Sequence, residues 1–274
     1  IVSYGGSEKT KEILNKTSWK DKVEITTDNE YLVKNSCIVI LLVRPQDAHS
    51  LDVDFAGNKV VLSLIAGISA KAISSIINYV PFVRVCLPSH DSFVKQTANA
   101  MLFTIDHPNK ELLKINKTIA EEFFKAIPGI DPVAWLPSEN VCHVFGVLAC
   151  LSSAMVLLNA TNKEMKLEEV EMFLKQHECL ESIPEIEKIF KRAQKTASLI
   201  KYEPNDKYTL DEYLEHLVTK GGLTERLLNA IKEGKSIVDS LEACYDRCKT
   251  LSDANDKPLE KEFNDMLWTT TQRH

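Results

Sequence analysis

Three largely apolar runs constrain the fold of this chain more than any other feature of its sequence. They cover residues 37–43 (CIVILLV), 58–67 (NKVVLSLIAG) and 82–88 (FVRVCLP), and they are rich in β-branched side chains. Runs without polar alternation are typical of strands that are buried on both faces, as in a parallel sheet covered by helices. Helical patterns lie between them. The sequence therefore predicts a doubly wound, Rossmann-like α/β domain with a mostly parallel sheet.

Strand patterns end near residue 137, and the rest of the chain has helical patterns only. Residues 140–161 are apolar and contain no turn signal, which predicts one long core helix. Amphipathic helices are expected near 164–177, 184–201 and 209–218, and a last clear helix at 236–251. We predict a Rossmann-like domain at 1–137, an all-helical dimerisation domain at 138–251, and a polar, peripheral tail at 252–274.

The last predicted helix carries an apolar stripe whose members are spaced by four and three residues. Such a stripe faces another helix. Its partner is either the core of the same chain or a second subunit, and the spacing leaves both open. The stripe consists of Ile237, Leu241, Cys244, Cys248 and Leu251.

Composition excludes several classes of function. The 33 basic and 39 acidic residues give a net charge of −6, which argues against a general nucleic-acid binder. The apolar segment 140–161 is too interrupted by polar groups to favour a membrane span. The seven cysteines form no C-x-x-C pair, and neither they nor the histidines show metal-ligand spacing. We expect reduced thiols, no metal site, no secretory leader and a cytoplasmic protein.

Two loops that follow predicted strands are candidates for ligand binding. Arg44 and Pro45 end the first apolar run, and the turn at 64–66 (Leu64, Ile65, Ala66) ends the second. Ligands of open α/β sheets bind outside the carboxyl ends of the strands, although a plain strand-to-helix turn fits the spacing equally well. His143 lies in the apolar helix pattern, where a hydrogen-bonded core histidine is the favoured interpretation.

A glycine pair, Gly221 and Gly222, interrupts the helical half in the segment TKGGLTERLL (219–228). A glycine pair directly before a helix leaves backbone N–H groups open at the positive end of the helix dipole, which suits a small carboxylate. Thr224 adds a hydroxyl in the first turn. The alternative is a flexible turn between helices with Thr224 as its cap.

Read in order, these stretches resemble the pyrroline-5-carboxylate reductase family, whose members reduce a cyclic imino acid with NAD(P)H. The segment 1–9 (IVSYGGSEK) resembles the family's second strand and the loop after it, and 23–29 (VEITTDN) its V-T-T-D-N stretch. CIVILLVRPQ resembles D-V-V-V-L-A-V-K-P-Q, VVLSLIAGIS resembles V-I-S-I-A-A-G-I-S, and VTKGGLTERLL resembles S-P-G-G-T-T-x-x-x-L. The similarity extends over nearly the whole chain.

The resemblance implies a nicotinamide cofactor, with NADP favoured over NAD, a small imino-acid substrate, and a homodimer or higher homo-oligomer. It implies a substrate carboxylate held by Gly221, Gly222, Leu223 and Thr224, with Thr224 as the catalytic candidate. Nine positions would contact the cofactor, two of them near the adenosine end (Ser3 and Gly5) and the others at Asn29, Val43, Arg44, Pro45, Leu64, Ile65 and Ala66.

The sequence also departs from the family. It contains no G-x-G-x-x-G, so we expect either that the first strand and glycine loop lie upstream of residue 1 or that the protein binds no dinucleotide. The family's S-G-S-G-P-A segment corresponds to VFGVLA (144–149), and the proline before the glycine pair is Lys220. Two functions remain open: a diverged imino-acid reductase, and a non-catalytic binding or scaffold protein that retains the fold.

Overall fold

The computed structural model describes residues 2–4, 12, 15–16, 18, 20–55, 57, 59–87, 98–199, 209–215 and 218–271, with backbone alone for 2–4, 20, 46, 49, 98, 132 and 257–271. Seven strands are described: β1 (Val2–Tyr4), β2 (Glu24–Thr26), β3 (Ile38–Leu41), β4 (Val60–Ser63), β5 (Phe82–Cys86), β6 (Ala98–Phe103) and β7 (Ile130–Trp135). Strands β1 and β2 form a parallel pair. The other five form one sheet in the order β3-β4-β5-β6-β7.

The five-stranded sheet confirms the predicted fold class. Strands β3, β4 and β5 are parallel, β6 runs antiparallel to β5, and β7 is parallel to β6. All four residues of β4 are buried, as its continuous apolar run predicts. Strand β7 was not among the predicted strands, because its sequence IDPVAW contains a proline and lacks a long apolar run.

Ten α-helices lie in the part of the chain that the structure describes. The short ones in the first half are α1 (Asn29–Lys34) and α2 (Ala70–Ile76), and α3 (Lys110–Lys125) leads to β7. The second half contains α4 (Glu139–Leu148), α5 (Leu151–Ala160), α6 (Leu167–Gln176), α7 (Ile186–Leu199), α8 (Leu210–Glu215), α9 (Leu223–Lys232) and α10 (Ile237–Thr271). Between the first two apolar runs, where the helical pattern at 45–55 predicts an α-helix, only a 3-10 helix, Pro45–Ser50, forms.

The predicted single helix at 140–161 is divided into α4 and α5. The N–H of Cys150 donates to the Val147 carbonyl at 3.0 Å, a tight 3-10 bond that breaks the α-helical ladder. No glycine or proline marks this break, so the sequence carries no signal for it. The stretch Glu139–Ala160 is long and apolar enough to cross a membrane, but 83% of its most apolar part is buried inside the protein, as in a core helix.

Helix α10 is longer than predicted. Its apolar stripe faces the core of the same chain, where Leu241 and Cys244 are fully buried. Beyond the stripe, where we predict a peripheral tail, the helix continues to Thr271. The prediction that the helix ends at Leu251 is wrong: Asn255 and Asp256 of the added turns hydrogen-bond the segment after β4, a tertiary contact that the apolar pattern does not show.

Ser69 caps the helix that follows β4. Its hydroxyl accepts a hydrogen bond from the Ala72 N–H at 3.0 Å, as an N-cap serine does. We expect Ser69→Ala to lower the free energy of unfolding by about 1 kcal/mol, because that N–H loses its acceptor. Urea denaturation measures this, with Ser75→Ala in the interior of the same helix as the control. Equal effects of the two substitutions would contradict the cap.

Candidate functional site

The carboxyl ends of β3 and β4 lie side by side, as the parallel register between the two strands requires. After β3, Val43 is half-buried, Arg44 is exposed, and Pro45 opens the 3-10 helix. The Arg44 guanidinium pairs with Asp47 at 2.6 Å, with 73% of its own side chain exposed. Arg44 is therefore an accessible positive charge at the edge of the sheet where ligands bind in this class of fold.

The turn after β4 presents its three predicted residues differently. Leu64 is half-buried and Ala66 is exposed, whereas Ile65 is 2% exposed and packs in the core. The backbone then passes Gly67, whose φ of +69° lies in the left-handed region that glycine adopts without strain. Leu64 and Ala66 are thus available to a ligand through their side chains, whereas the N–H of Ile65 donates to the Ser63 hydroxyl.

The residues predicted to contact the adenosine end of the cofactor lie away from this edge of the sheet. Ser3 is in β1, paired with Ile25 of β2, and Asn29 begins α1 directly after β2. Among the described residues no strand ladder joins this β1–β2 pair to β3. Gly5 lies outside the described residues. The structure therefore brings Val43, Arg44, Pro45 and the 64–66 turn together. It places Ser3 on a separate pair of strands and Asn29 at the start of the helix that follows that pair.

Arg84 links the β4 turn to the helical half, a role that sequence reasoning missed. Its side chain is buried in β5, where it donates to Glu139 Oε1 at 3.0 Å and to the Ile65 carbonyl at 3.3 Å. The same Glu139 oxygen accepts from the Ala70 N–H at 2.5 Å. One ion pair thus joins β5, the β4 turn, α2 and α4. The sequence contains a signal for this role, because a charged residue inside an apolar strand pattern needs a buried partner.

Helix α10 covers the β4 turn. Asn255 donates to the Gly67 carbonyl at 2.6 Å, and Asp256 accepts from the Ser69 N–H at 3.0 Å. A Cβ at Gly67 would lie 3.4 Å from Leu251. Residues that we predict as a peripheral tail therefore form one wall of the candidate cofactor site.

In the glycine turn, side chains of the same chain hydrogen-bond both the carbonyl and the N–H of Gly221. Gly221 has φ +75°, and its carbonyl accepts from Arg247 Nε and Nη2 at 2.9 and 2.7 Å. The Gly221 N–H donates to Glu225 Oε2 at 2.6 Å, and the Gly222 N–H donates to the Thr219 carbonyl at 2.8 Å. Both glycine N–H groups are therefore paired within the chain, one of them with a carboxylate.

The remaining predicted substrate-binding groups open α9. Gly222 is the N-cap, Leu223 packs against Gly146 of α4, and the Thr224 hydroxyl donates to the Cys150 sulfur at 3.3 Å. The first N–H groups of a helix have no partner within the helix. The Leu223 and Thr224 N–H groups are thus the donors that the turn offers to an anion, beside the Gly221 N–H that Glu225 occupies.

Helix α10 also fixes the distance between the two halves of the candidate site. Arg247 holds the glycine turn, and Asn255, eight residues later, holds the β4 turn. At 1.5 Å per residue the two anchors are about 12 Å apart along the helix axis.

The hydrogen bonding of His143 in α4 differs from what the sequence predicts. We expect a hydrogen-bonded core histidine, but its Nε2 is buried and has no hydrogen-bond partner. The pKa of His143 is lowered to about 4, first by burial and then by the positive charges of Arg84 and Lys249, against which Asp253 and Asp256 act. The uncharged ring is therefore the stable form at neutral pH.

This lowered pKa predicts acid sensitivity. In the unfolded chain histidine titrates near 6.5, so the unfolded state binds more protons than the folded one between about pH 6.5 and 4. Stability is full above that window and is lost as the pH falls through it. The free energy of unfolding of the wild-type protein should fall between pH 7 and pH 4.5. We expect this fall to be smaller by roughly 1–2 kcal/mol in His143→Asn, because asparagine does not titrate. Urea denaturation at both pH values tests this, and an unchanged difference would contradict it.

Comparison with known proteins supports the fold. No protein-family model matches the sequence, and neither does any curated protein. A pyrroline-5-carboxylate reductase from Coxiella burnetii superposes with a TM-score of 0.53 at 20% identity, covering 92% of this chain and 88% of that one. A glycerol-3-phosphate dehydrogenase from Saccharomyces cerevisiae gives 0.50 at 12% identity, with 92% and 85% covered. A Plasmodium falciparum pyrroline carboxylate reductase with NADP bound gives 0.48 at 14%, with 92% and 89% covered.

The similarity confirms the resemblance at the level of the fold. The chain has a Rossmann-like sheet followed by a helical second half, and a pyrroline-5-carboxylate reductase is among the structures that share this architecture. At 20% identity or less this likeness says nothing about individual site residues. The roles of the residues therefore depend on the geometry described above.

Proposed function

We propose that this chain is an NAD(P)-dependent oxidoreductase that reduces a small cyclic imino acid, as pyrroline-5-carboxylate reductases do. The observation that carries the proposal is the glycine turn, which binds a carboxylate within the chain at 2.6 Å and faces the first turn of α9. Helix α10 connects this turn to the β4 turn. A carboxylate receptor next to the carboxyl edge of a Rossmann-like sheet suits a small substrate with a carboxyl group.

The residues at this edge fit one end of a nicotinamide cofactor. Arg44 is an exposed cation at the end of β3, and Leu64 and Ala66 flank an open turn at the end of β4. These groups would hold the ribose and nicotinamide, and Asn29 and Ser3 the adenosine end. A serine rather than an acidic residue at that end favours NADP over NAD. When bound, the cofactor supplies the hydride.

The protein's own groups position the substrate. The N–H groups of Leu223 and Thr224 would bind its carboxylate, with the positive end of the α9 dipole behind them. The Thr224 hydroxyl can turn from the Cys150 sulfur to the bound substrate and donate a hydrogen bond near the reacting imine, the role of a catalytic group.

Cofactor binding tests the proposal directly. We expect the full chain to bind NADPH with a dissociation constant below 1 mM, the range of ordinary enzyme substrates, and more tightly than NADH, and to oxidise NADPH when pyrroline-5-carboxylate is added. Fluorescence titration and absorbance at the nicotinamide band measure these. Binding of neither cofactor at millimolar concentration would reject the enzyme and leave the second candidate.

That second candidate is a non-catalytic binding or scaffold protein. One observation favours it: the N–H groups of Gly221 and Gly222 are both paired within the chain, which leaves fewer donors for a substrate carboxylate. Cofactor binding without turnover on any cyclic imine would support it.

We also propose a cytoplasmic homodimer or larger homo-oligomer, as the resemblance implies. The apolar stripe of α10 is buried within the chain, so a dimer must use other surfaces. Light scattering after size-exclusion chromatography gives the mass, and a 30.9 kDa particle at micromolar concentration would reject the oligomer.

Glu225 competes with the substrate carboxylate for the Gly221 N–H in this scheme. We expect Glu225→Gln to lower the KM for the imino acid about fivefold, because a neutral amide holds that donor less strongly than a carboxylate does. Steady-state kinetics measure the change. Glu233→Gln, at the other end of the same helix, is the matched control and leaves KM unchanged. An equal KM in both variants would mean that Glu225 does not compete.

A further inference from the structure

Two irregular points of the backbone meet at one small cavity between the sheet and the helical half. On the sheet side, the register between β6 and β7 shifts beside Asn99. On the helical side, the cavity touches the joint of α4 and α5, where Leu148, Ala149 and Ser152 line it. Apolar side chains of α4 and α7 form the other walls. The cavity has a volume of about 10 Å³, which is the space that one water molecule needs.

Asn99 brings a buried amide to this cavity. The residue is 1% exposed, and within the part of the chain that the structure describes its Nδ2 has no hydrogen-bond partner. Buried polar groups in folded proteins are almost always hydrogen-bonded, to protein or to ordered water, because an unpaired donor loses its hydration without compensation. A register shift between strands re-aims a side chain, and this one places the amide against the helices. The amide therefore needs an acceptor inside the cavity.

The start of α5 provides polar groups on the opposite wall. Its N-cap, Cys150, makes no side-chain cap hydrogen bond, and Leu151 and Ser152 of the first turn are buried. The first N–H groups of a helix have no partner within the helix, and the last carbonyls of the preceding helix are in the same situation. A buried helix start without a side-chain cap requires another partner, such as water or a ligand. The Ser152 hydroxyl also lines the cavity and can donate or accept.

We propose that this cavity is a binding site for a single water molecule, which accepts a hydrogen bond from the Asn99 amide and connects it to the joint of α4 and α5 through Ser152. The small volume favours one water over a larger ligand. An anion would accept from the same donors, but no lysine or arginine is among the described residues that line the cavity, so its charge would be buried without a counter-charge. A water both donates and accepts, so it serves the amide in either of its two flipped orientations.

The water would support the glycine turn through the same joint. Gly146 and Cys150 lie in this joint, and they contact Leu223 and Thr224 at the start of α9. A water that ties the joint to β6 therefore fixes the surface on which the first turn of α9 rests. The inference does not depend on the proposed reductase activity, because it concerns how the fold satisfies its own buried polar groups.

A crystal structure of the full chain, grown in sodium bromide, tests the proposal and separates a water from an anion. We expect electron density for one atom within about 3.2 Å of both the Asn99 amide and the Ser152 hydroxyl, without anomalous signal at the bromine absorption edge. An anomalous peak at this position would identify an anion and overturn the proposal. An empty cavity, or an Asn99 amide that hydrogen-bonds a protein group instead, would overturn it as well.

Variants test the same water in solution, where the magnetic relaxation dispersion of water ¹⁷O counts long-lived internal waters. We expect Asn99→Leu to hold one such water fewer than the wild-type protein, because leucine has a similar size but no donor. Ser152→Ala should shorten the residence time of the water, and this variant decides if circular dichroism shows that Asn99→Leu is unfolded. Ser240→Ala is the control with an unchanged count, since the Ser240 hydroxyl donates to the Ser236 carbonyl at 2.8 Å. An unchanged count in folded Asn99→Leu, or an unchanged residence time in Ser152→Ala, would contradict the site.

Discussion

Gly222→Val will lower kcat/KM for the imino acid at least about 100-fold, a loss of roughly 2.7 kcal/mol in transition-state binding. A Cβ at this position would lie 2.8 Å from the Thr219 carbonyl oxygen, a backbone atom that cannot move aside without opening the turn. The backbone φ of Gly222 is −86°, so contact and not the dihedral angle excludes a side chain. The displaced turn no longer aims the Leu223 and Thr224 N–H groups at the substrate carboxylate.

Two further variants separate misfolding from loss of the binding site. Gly234→Ala is the matched glycine control: its φ of +84° makes alanine costly by about 1 kcal/mol, but nothing lies within 4 Å, and activity should be unchanged. Thr224→Val removes the hydroxyl with little change of shape, and we expect KM to rise about tenfold while the melting temperature changes little. Wild-type kinetics for both Gly222→Val and Thr224→Val would show that the turn does not bind substrate.

The sheet was predictable because its signal is local. Buried parallel strands must be apolar along their whole length, and the runs at 37–43, 58–67 and 82–88 correspond to β3, β4 and β5. Strand β7 is covered by its neighbour β6 and by α3. Its own sequence contains no continuous apolar run from which a strand could be predicted. The division at Cys150 is a tertiary feature as well, since Cys150 contacts Thr224 from a distant helix.

The candidate site was predictable only in part, for the same physical reason. The glycine pair and the loops after β3 and β4 follow from local backbone requirements, and the structure places them where the sequence predicts turns. Their partners come from far along the chain: Arg247 for Gly221, Asn255 for Gly67, and Glu139 for Arg84. A charged or polar residue in a sequence shows that it needs a partner, but not which partner the fold will supply.

Arg84→Met will lower the free energy of unfolding by about 3 kcal/mol, the largest effect on stability that we expect from a single polar substitution in this chain. The substitution keeps an unbranched apolar side chain but leaves the Glu139 carboxylate without its cation, and it removes the donor to the Ile65 carbonyl. A buried ion pair contributes little in itself, whereas breaking one leaves an uncompensated charge in a poorly solvated place.

The exposed pair Arg44–Asp47 is the matched control for this prediction. Its side chains are 73% and 44% exposed, so Arg44→Met should change the free energy of unfolding by less than about 0.5 kcal/mol, since water replaces the lost partner. The double variant Arg84→Met with Glu139→Gln should recover part of the loss, because no unpaired charge remains. Urea denaturation of the four proteins measures all three values. A loss at Arg84 no larger than at Arg44 would mean that the ion pair does not hold β5, the β4 turn and α4 together.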